Sequence, residues 1–192
     1  MGEESCITHN RPNICIIGLV RGENMSGADN QQERLRAGWI VGFVDGEGTF
    51  SVAIQKNAEM SLGWQAFPEF VVTQGAKSLG ALEELKSFFG CGGIYRNRRH
   101  DNHNEDILRY CVRRISDLDE KIVPFFKMNP LKTSKKDDFE KFVQVIELMK
   151  AKRQLTFDGL QVIAKIAQGM NSRRKSKFLV SSETVRQTLY TE

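Results

Sequence analysis

The sequence predicts an α+β fold, with an antiparallel sheet covered by helices on one face and left open on the other. Three observations predict it. Two pairs of alternating segments, 48–57 with 64–74 and 93–99 with 107–114, put apolar side chains on every second position. Helical runs with apolar residues three and four apart precede, separate and follow these pairs. Polar and basic residues fill the other strand positions, so each pair buries one face only. The order is α-β-β-α-β-β-α with further helices appended. A chain of 192 residues fits one domain with a real core.

The first helix is predicted over 31–44, with Leu35, Gly38, Trp39, Gly42 and Phe43 in helical register. Each glycine costs on the order of 1 kcal/mol against alanine inside a helix. Gly38 and Gly42 share one face, which implies another backbone packed against it; a second copy of the chain is the simplest source. This helix runs into Asp45-Gly46-Glu47-Gly48, two acids set between glycines. The macrodipole disfavours carboxylates at a helix C-terminus, and a bound cation is the usual offset.

The strands follow at once. In the first, Phe50, Val52 and Ile54 face inward, with Thr49, Ser51, Ala53, Gln55 and Asn57 outward. In the second, Phe70 and Val72 face inward, with Gln65, Phe67, Glu69 and Val71 outward. Residues 78–89 read as an amphipathic helix through Leu79, Leu82, Leu85, Phe88 and Phe89 that stops at Gly90. The second hairpin sets Ile94, Arg96 and Arg98 against Tyr95 and Asn97, then Arg109, Cys111 and Arg113 against Leu108, Tyr110 and Val112. Its arginines read as one basic face. Helices are predicted over 116–126, 136–150 and 155–167, and Ser181 caps a last short one. Trp39 and Trp64 read as packing residues. Residues 1–30 read as a flexible polar extension in which Met25 would serve equally as a start, leaving 31–192 as the domain.

A net charge of +4 is modest but unevenly placed. Between Cys91 and Ile115 six arginines face three acids, and Arg173, Arg174, Lys175 and Lys177 form a second cluster. Such patches suit a polyanion, nucleic acid above all. Four cysteines without a C-x-x-C pair indicate neither a zinc ribbon nor a disulfide framework. The apolar run 14–20 is too short to span a membrane and carries no cleavage pattern of a secretion signal, so the expected setting is bacterial cytoplasm or an organelle interior. His100-Asp101-Asn102-His103-Asn104 falls at a hairpin tip and reads as a solvated loop rather than a metal cluster.

Gly42-Phe43-Val44-Asp45-Gly46-Glu47-Gly48 resembles the motif that names the LAGLIDADG homing endonucleases, and the element order matches their fold. Val72-Thr73-Gln74, Pro124-Phe125-Phe126 and Ser182-Glu183-Thr184-Val185-Arg186 extend the resemblance over about 31–190. The resemblance implies a saddle-shaped antiparallel sheet that binds double-stranded DNA. It also implies a homodimer built on Gly38, Trp39, Gly42 and Asp45, since one motif is present. Glu47 would ligate Mg²⁺, with Mn²⁺ substituting and main-chain oxygen from Gly46 or Gly48 assisting. Many relatives carry aspartate at the position of Glu47. Gln74 would order water, and either Lys132 or Lys135 would complete the pocket.

Base reading would fall to Ser51, Ala53, Gln55, Asn57, Gln65, Phe67, Glu69, Arg96, Arg98, Arg109 and Arg113, with Arg173 and Lys175 on phosphates. Strands of about eight residues run ~26 Å, some eight base pairs, so two subunits would span roughly 16 to 20 base pairs. The expectation is a homodimeric, metal-dependent, site-specific endonuclease, intron-encoded and acting on long near-palindromes. A maturase that binds intron RNA and a non-catalytic DNA-binding regulator are the alternatives on the same fold.

Overall fold

A computed structural model describes residues 27–97, 106–170 and 177–180. Along them run α1 (Gly27–Glu47), β1 (Gly48–Lys56), β2 (Trp64–Gly75), α2 (Leu79–Phe89), β3 (Gly93–Asn97), β4 (Ile107–Val112), α3 (Ile115–Asp117), α4 (Val123–Met128), α5 (Lys135–Lys150) and α6 (Phe157–Gln168). Residues 1–26, Arg98, the 100–104 hairpin tip, Arg173, Lys175 and the segment opening at Ser181 lie outside the described residues.

The four strands form one antiparallel sheet in the order β1-β2-β4-β3. Period-two alternation sorts the faces of β1, β2 and β4 as the sequence predicts. Phe50 pairs with Phe70, Phe70 with Val112 and Val72 with Tyr110, and this row is buried beneath the helices. Ile40 and Val44 of α1, Leu82, Leu85 and Phe89 of α2 and Phe139, Phe142 and Ile146 of α5 complete the main core. Phe50 sits at its centre, with the Phe70, Phe126, Phe139 and Phe142 ring centroids 5.0 to 5.5 Å away. Such edge and stacked pairs add to what burial alone contributes. A second cluster joins Val145 and Met149 of α5 to Leu160, Ile163 and Ala164 of α6, with Ala66 and Phe178.

Several boundaries differ from the sequence reading for local reasons. Helix α1 starts at Gly27 rather than 31 and runs past Val44 to Glu47. Gly90, at φ 57°, takes the left-handed conformation that ends α2 and donates its N–H to the Lys86 carbonyl. Helices α3 and α4 are one run joined by a wide π turn, Leu118–Ile122. Pro124 follows that turn; it has no N–H to give the preceding turn and its ring needs the extra room. Helix α6 begins at Phe157 because Thr156 caps it, its hydroxyl accepting from the Gly159 N–H.

Gly48 joins α1 to β1 at a point where no side chain fits. A Cβ there would lie 2.5 Å from Val44 Cγ1 and 2.7 Å from the Val44 carbonyl oxygen. Gly48→Ala is therefore expected to lower the unfolding free energy by about 1–3 kcal/mol. Urea denaturation checks this, and a midpoint equal to wild type would remove the close-approach account.

Candidate functional site

Helix α1 has two opposed faces. Ala37, Ile40, Val41 and Val44 lie against the core, whereas Leu35, Gly38, Trp39, Gly42 and Gly46 fall on one stripe on the other side. Leu35 is 68 % and Trp39 41 % exposed, with the Trp39 ring stacked on Phe43 at 5.2 Å. A Cβ built at Gly38, Gly42 or Gly46 meets nothing within 4 Å. Between Leu35 and Gly42 no other described element covers this face. Trp39 is thus not the ordinary core residue that its size suggests.

At the end of this helix the acids take separate environments. The Asp45 carboxylate accepts the main-chain N–H of Lys132 at 2.7 Å and of Thr133 at 3.2 Å, and the Thr133 hydroxyl at 2.8 Å. Burial alone would raise its pKa, but these bonds and the nearby Lys135 ammonium outweigh it and hold the carboxyl below its ordinary value. Within the chain its contacts are to the loop before α5. Lys135 Nζ donates to the Asp45 and Gly46 carbonyls, both at 2.7 Å. This lysine caps the helix C-terminus and offsets the macrodipole, so part of the compensation expected from a bound cation is supplied by the chain itself.

A carboxylate held below its unfolded-state pKa stabilises the fold at pH above about 4, and the contribution is lost as pH falls through the folded value. Asp45→Ala is expected to lower stability at neutral pH by roughly 1–3 kcal/mol, through charge-assisted bonds to two N–H groups and a hydroxyl. The difference from wild type should shrink in denaturation series carried down to acid. A gap that stays constant with pH would count against the assignment.

Glu47 closes α1 with its side chain exposed. Gly48 pairs with Val72, so Gln74 stands two residues beyond the rung at which the helix gives way to the strand. Glu47, Gln74 and the Lys135 ammonium thus belong to one end of the sheet. The structure separates the two candidate lysines: Lys132 contributes its main-chain N–H to Asp45, and Lys135 brings its ammonium to the helix end.

Among the described residues no group of three or more His, Cys, Asp or Glu gathers to hold a metal. The donors present are nevertheless of the right kind for a hard divalent ion. One carboxylate at a helix C-terminus, main-chain oxygens and water suit Mg²⁺, which keeps much of its hydration. The Gly46 carbonyl already accepts from Lys135 and retains a second lone pair. Glu47 with Gly46 or Gly48 can hold such an ion.

The open face of the sheet carries Ser51 opposite Glu69, Ala53 opposite Phe67 and Gln55 opposite Gln65. Asn57 Nδ2 donates to Gln65 Oε1 at 2.6 Å. Arg109 and Arg113 both bond Glu69. The alternation reading fails for β3: Arg96 pairs with Leu108, on the helix-covered side, and forms an ion pair with Asp106. Tyr95 pairs with Arg109 and takes the place expected of Arg96. The cause is register, since β3 offers no apolar run long enough to say which of its faces is inward. Val71 and Cys111 occupy the open face as predicted but are only 4 % and 3 % exposed. Among the described residues no helix is long and apolar enough to cross a membrane.

Comparison with known proteins agrees with this arrangement. The family model described as LAGLIDADG endonuclease matches residues 40–146. A probable intron-encoded endonuclease 3 of Neurospora crassa is 35% identical over 135 residues, 69% of this chain and 24% of the relative. Homing endonuclease I-ApeII of Aeropyrum pernix is 29% identical over 112 residues, 58% of this chain and 63% of the relative. The chain spans about a quarter to a third of the first three curated relatives it matches. Among solved structures, the homing endonuclease I-TnaI superposes with a TM-score of 0.69 at 36% identity, over 78% of this chain and 97% of that one. Meganuclease I-SmaMI, in a crystal structure bound to DNA, does so at 0.66 and 33%, over 72% and 45%. A matched family model over more than half the chain, the same four-stranded sheet and a glycine-bounded acidic helix end have one explanation: the chain belongs to the LAGLIDADG endonuclease family.

Proposed function

We propose that two copies of this domain pair through the open face of α1 and cut both strands of a long, near-palindromic DNA site. The observation that carries this reading is α1 itself: its uncovered glycine stripe leads directly to an exposed Glu47. Symmetric pairing along that stripe brings two Glu47 carboxylates to the middle of a joint sheet surface. The chain aligns with 45% of the I-SmaMI chain, which leaves room there for two such units. The names of the Neurospora relatives suggest an intron-encoded origin for this one too.

Glu47, assisted by Gly46 or Gly48 oxygen, would hold Mg²⁺, and the ion when bound would supply Lewis-acid neutralisation of the phosphodiester charge. The chain's own residues do the rest. Lys135 fixes the end of α1, and with it the position of Glu47, and adds a positive charge beside the phosphate. The Gln74 amide, able to donate and accept, orients a water at the sheet end. Ser51, Gln55, Asn57, Gln65, Arg109 and Arg113 offer donors and acceptors to the major groove.

The test is cleavage of a randomised duplex library with Mg²⁺, with and without EDTA, beside Lys135→Met and Lys132→Met. Cutting at one long site that EDTA abolishes, a large loss in Lys135→Met and little loss in Lys132→Met are expected. DNA bound but never cut would turn the reading toward a DNA-binding regulator. Intron RNA bound in preference to duplex DNA would turn it toward a maturase.

A further inference from the structure

We propose that Glu69 is a specificity-determining positioning residue: by clamping Arg109 and Arg113 together it aims both guanidinium groups at guanine edges and holds them off the phosphates. The proposal rests on the DNA-binding reading above and concerns how that face chooses a sequence.

The register makes the clamp unusual. Val71 pairs with Cys111 and Phe70 with Val112, so the next step sets Arg113 beside Glu69. Arg109 pairs with Thr73, four residues away along β2. It nevertheless reaches Glu69 Oε1 at 2.8 Å, while Arg113 Nε donates to Oε2. One carboxylate carries two guanidinium groups, one on each oxygen. The reach takes the Arg109 stem across the Val71–Cys111 rung, which accounts for two residues left nearly inaccessible on an otherwise open face. Long basic side chains cover apolar surface in this way.

The other side of the clamp is built as well. The Arg113 guanidinium lies 5.7 Å from the centre of the Tyr95 ring. Tyr95 lies down over Gly93, where an added Cβ would come within 2.8 Å of its hydroxyl. A glycine therefore stands at the one place where the ring needs a bare backbone. Five residues from three strands fix two arginine side chains that would otherwise sweep freely.

The chemistry follows from donor counts. A guanidinium has five N–H donors, and a bond to Glu69 leaves most of them available. Guanine presents N7 and O6 side by side to the major groove, the acceptor pair that an arginine fork matches. A phosphate, by contrast, would have to draw an arginine from a carboxylate whose side chain is only 17 % exposed. That would leave the carboxylate unpaired beside a polyanion. The trio carries a charge of +1 where two unclamped arginines would carry +2. The clamp gives up general attraction and gains discrimination.

The experiment uses the full chain, Glu69→Gln and the double variant Glu69→Gln/Arg113→Gln. Fluorescence anisotropy on a mixed-sequence duplex of about 24 base pairs, a little longer than a two-subunit footprint, is read over a salt series. Selection from a randomised duplex pool, sequenced before and after, reads base preference. Glu69→Gln should bind the mixed duplex more tightly, with a slope of log affinity against log salt steeper by about two, one for each subunit. Its guanine enrichment under the clamp should fall by roughly tenfold or more. The double variant should return the slope to the wild-type value without returning the enrichment.

An unchanged slope and unchanged enrichment in Glu69→Gln would overturn the proposal, even if its melting temperature fell, because a merely structural ion pair predicts that pattern. Wild-type chain that binds no duplex would overturn the DNA-binding reading and this proposal with it. The two failures are distinguishable from the wild-type binding curve alone.

Discussion

Glu47→Gln is expected to abolish cleavage, by about 10³-fold or more, while leaving DNA binding and the fold intact. On the role proposed for Glu47, the variant removes a charge that would help to hold a Lewis acid worth several kcal/mol of transition-state stabilisation. The fold should tolerate the change because Glu47 is exposed, outside both core clusters, at a helix end where a negative charge is unfavourable in any case. Glu47→Gln is therefore predicted to melt no lower than wild type. A direct titration of Mn²⁺ against the protein, followed by electron paramagnetic resonance, should show weakened binding in the variant. Retained cleavage with unweakened metal binding would place the chemistry elsewhere.

Gly42→Arg should convert a dimer into a monomer without unfolding the chain. A Cβ at Gly42 meets nothing within 4 Å, so a long charged side chain can be accommodated in the isolated domain. On the helix face proposed to approach a second backbone, the same side chain would obstruct contact and bring an unpaired charge into it. Sedimentation should show the halved mass, urea denaturation at low concentration a fold no weaker than wild type, and the cleavage assay no double-strand breaks. The contrast with Gly48 is the control: two glycines six residues apart, one crowded by its own chain and one open within it. Sedimentation of Gly42→Arg as a dimer would refute pairing through this face.

The sequence disclosed most where one physical period dominates. Alternation over β1 and β2 gave both faces correctly because Phe50, Val52, Phe70 and Val72 leave no choice of inward side. The glycine stripe on α1 was legible because Gly38 and Gly42 are otherwise a cost without a return. β3 was misread because five residues with only Ile94 clearly apolar do not fix a face, and arginine alternation suggested the wrong one. Tyr95 was missed for the same reason; the signal that could have found it is Gly93, two positions before an aromatic on the same strand face.

Asp45 and Lys135 were out of reach for a different reason. Their bonds join positions about ninety apart, and no local pattern announces which lysine will meet a helix end. Only the choice between Lys132 and Lys135 could be posed from the sequence. In the folded geometry the two differ, Lys132 giving Asp45 a main-chain donor and Lys135 bringing its ammonium to the helix end.

Those same bonds bear on when the centre comes into being. The ties from Asp45 to the loop before α5, and from Lys135 to the carbonyls of α1, close spans of 87 to 90 residues. Contacts that close so long a span carry a larger entropic cost than local ones and form late. During synthesis, a ribosome-bound fragment that already displays Glu47 has not yet received the lysine that seats the end of its helix. The acidic terminus reaches its working geometry only when the first and fifth helices meet.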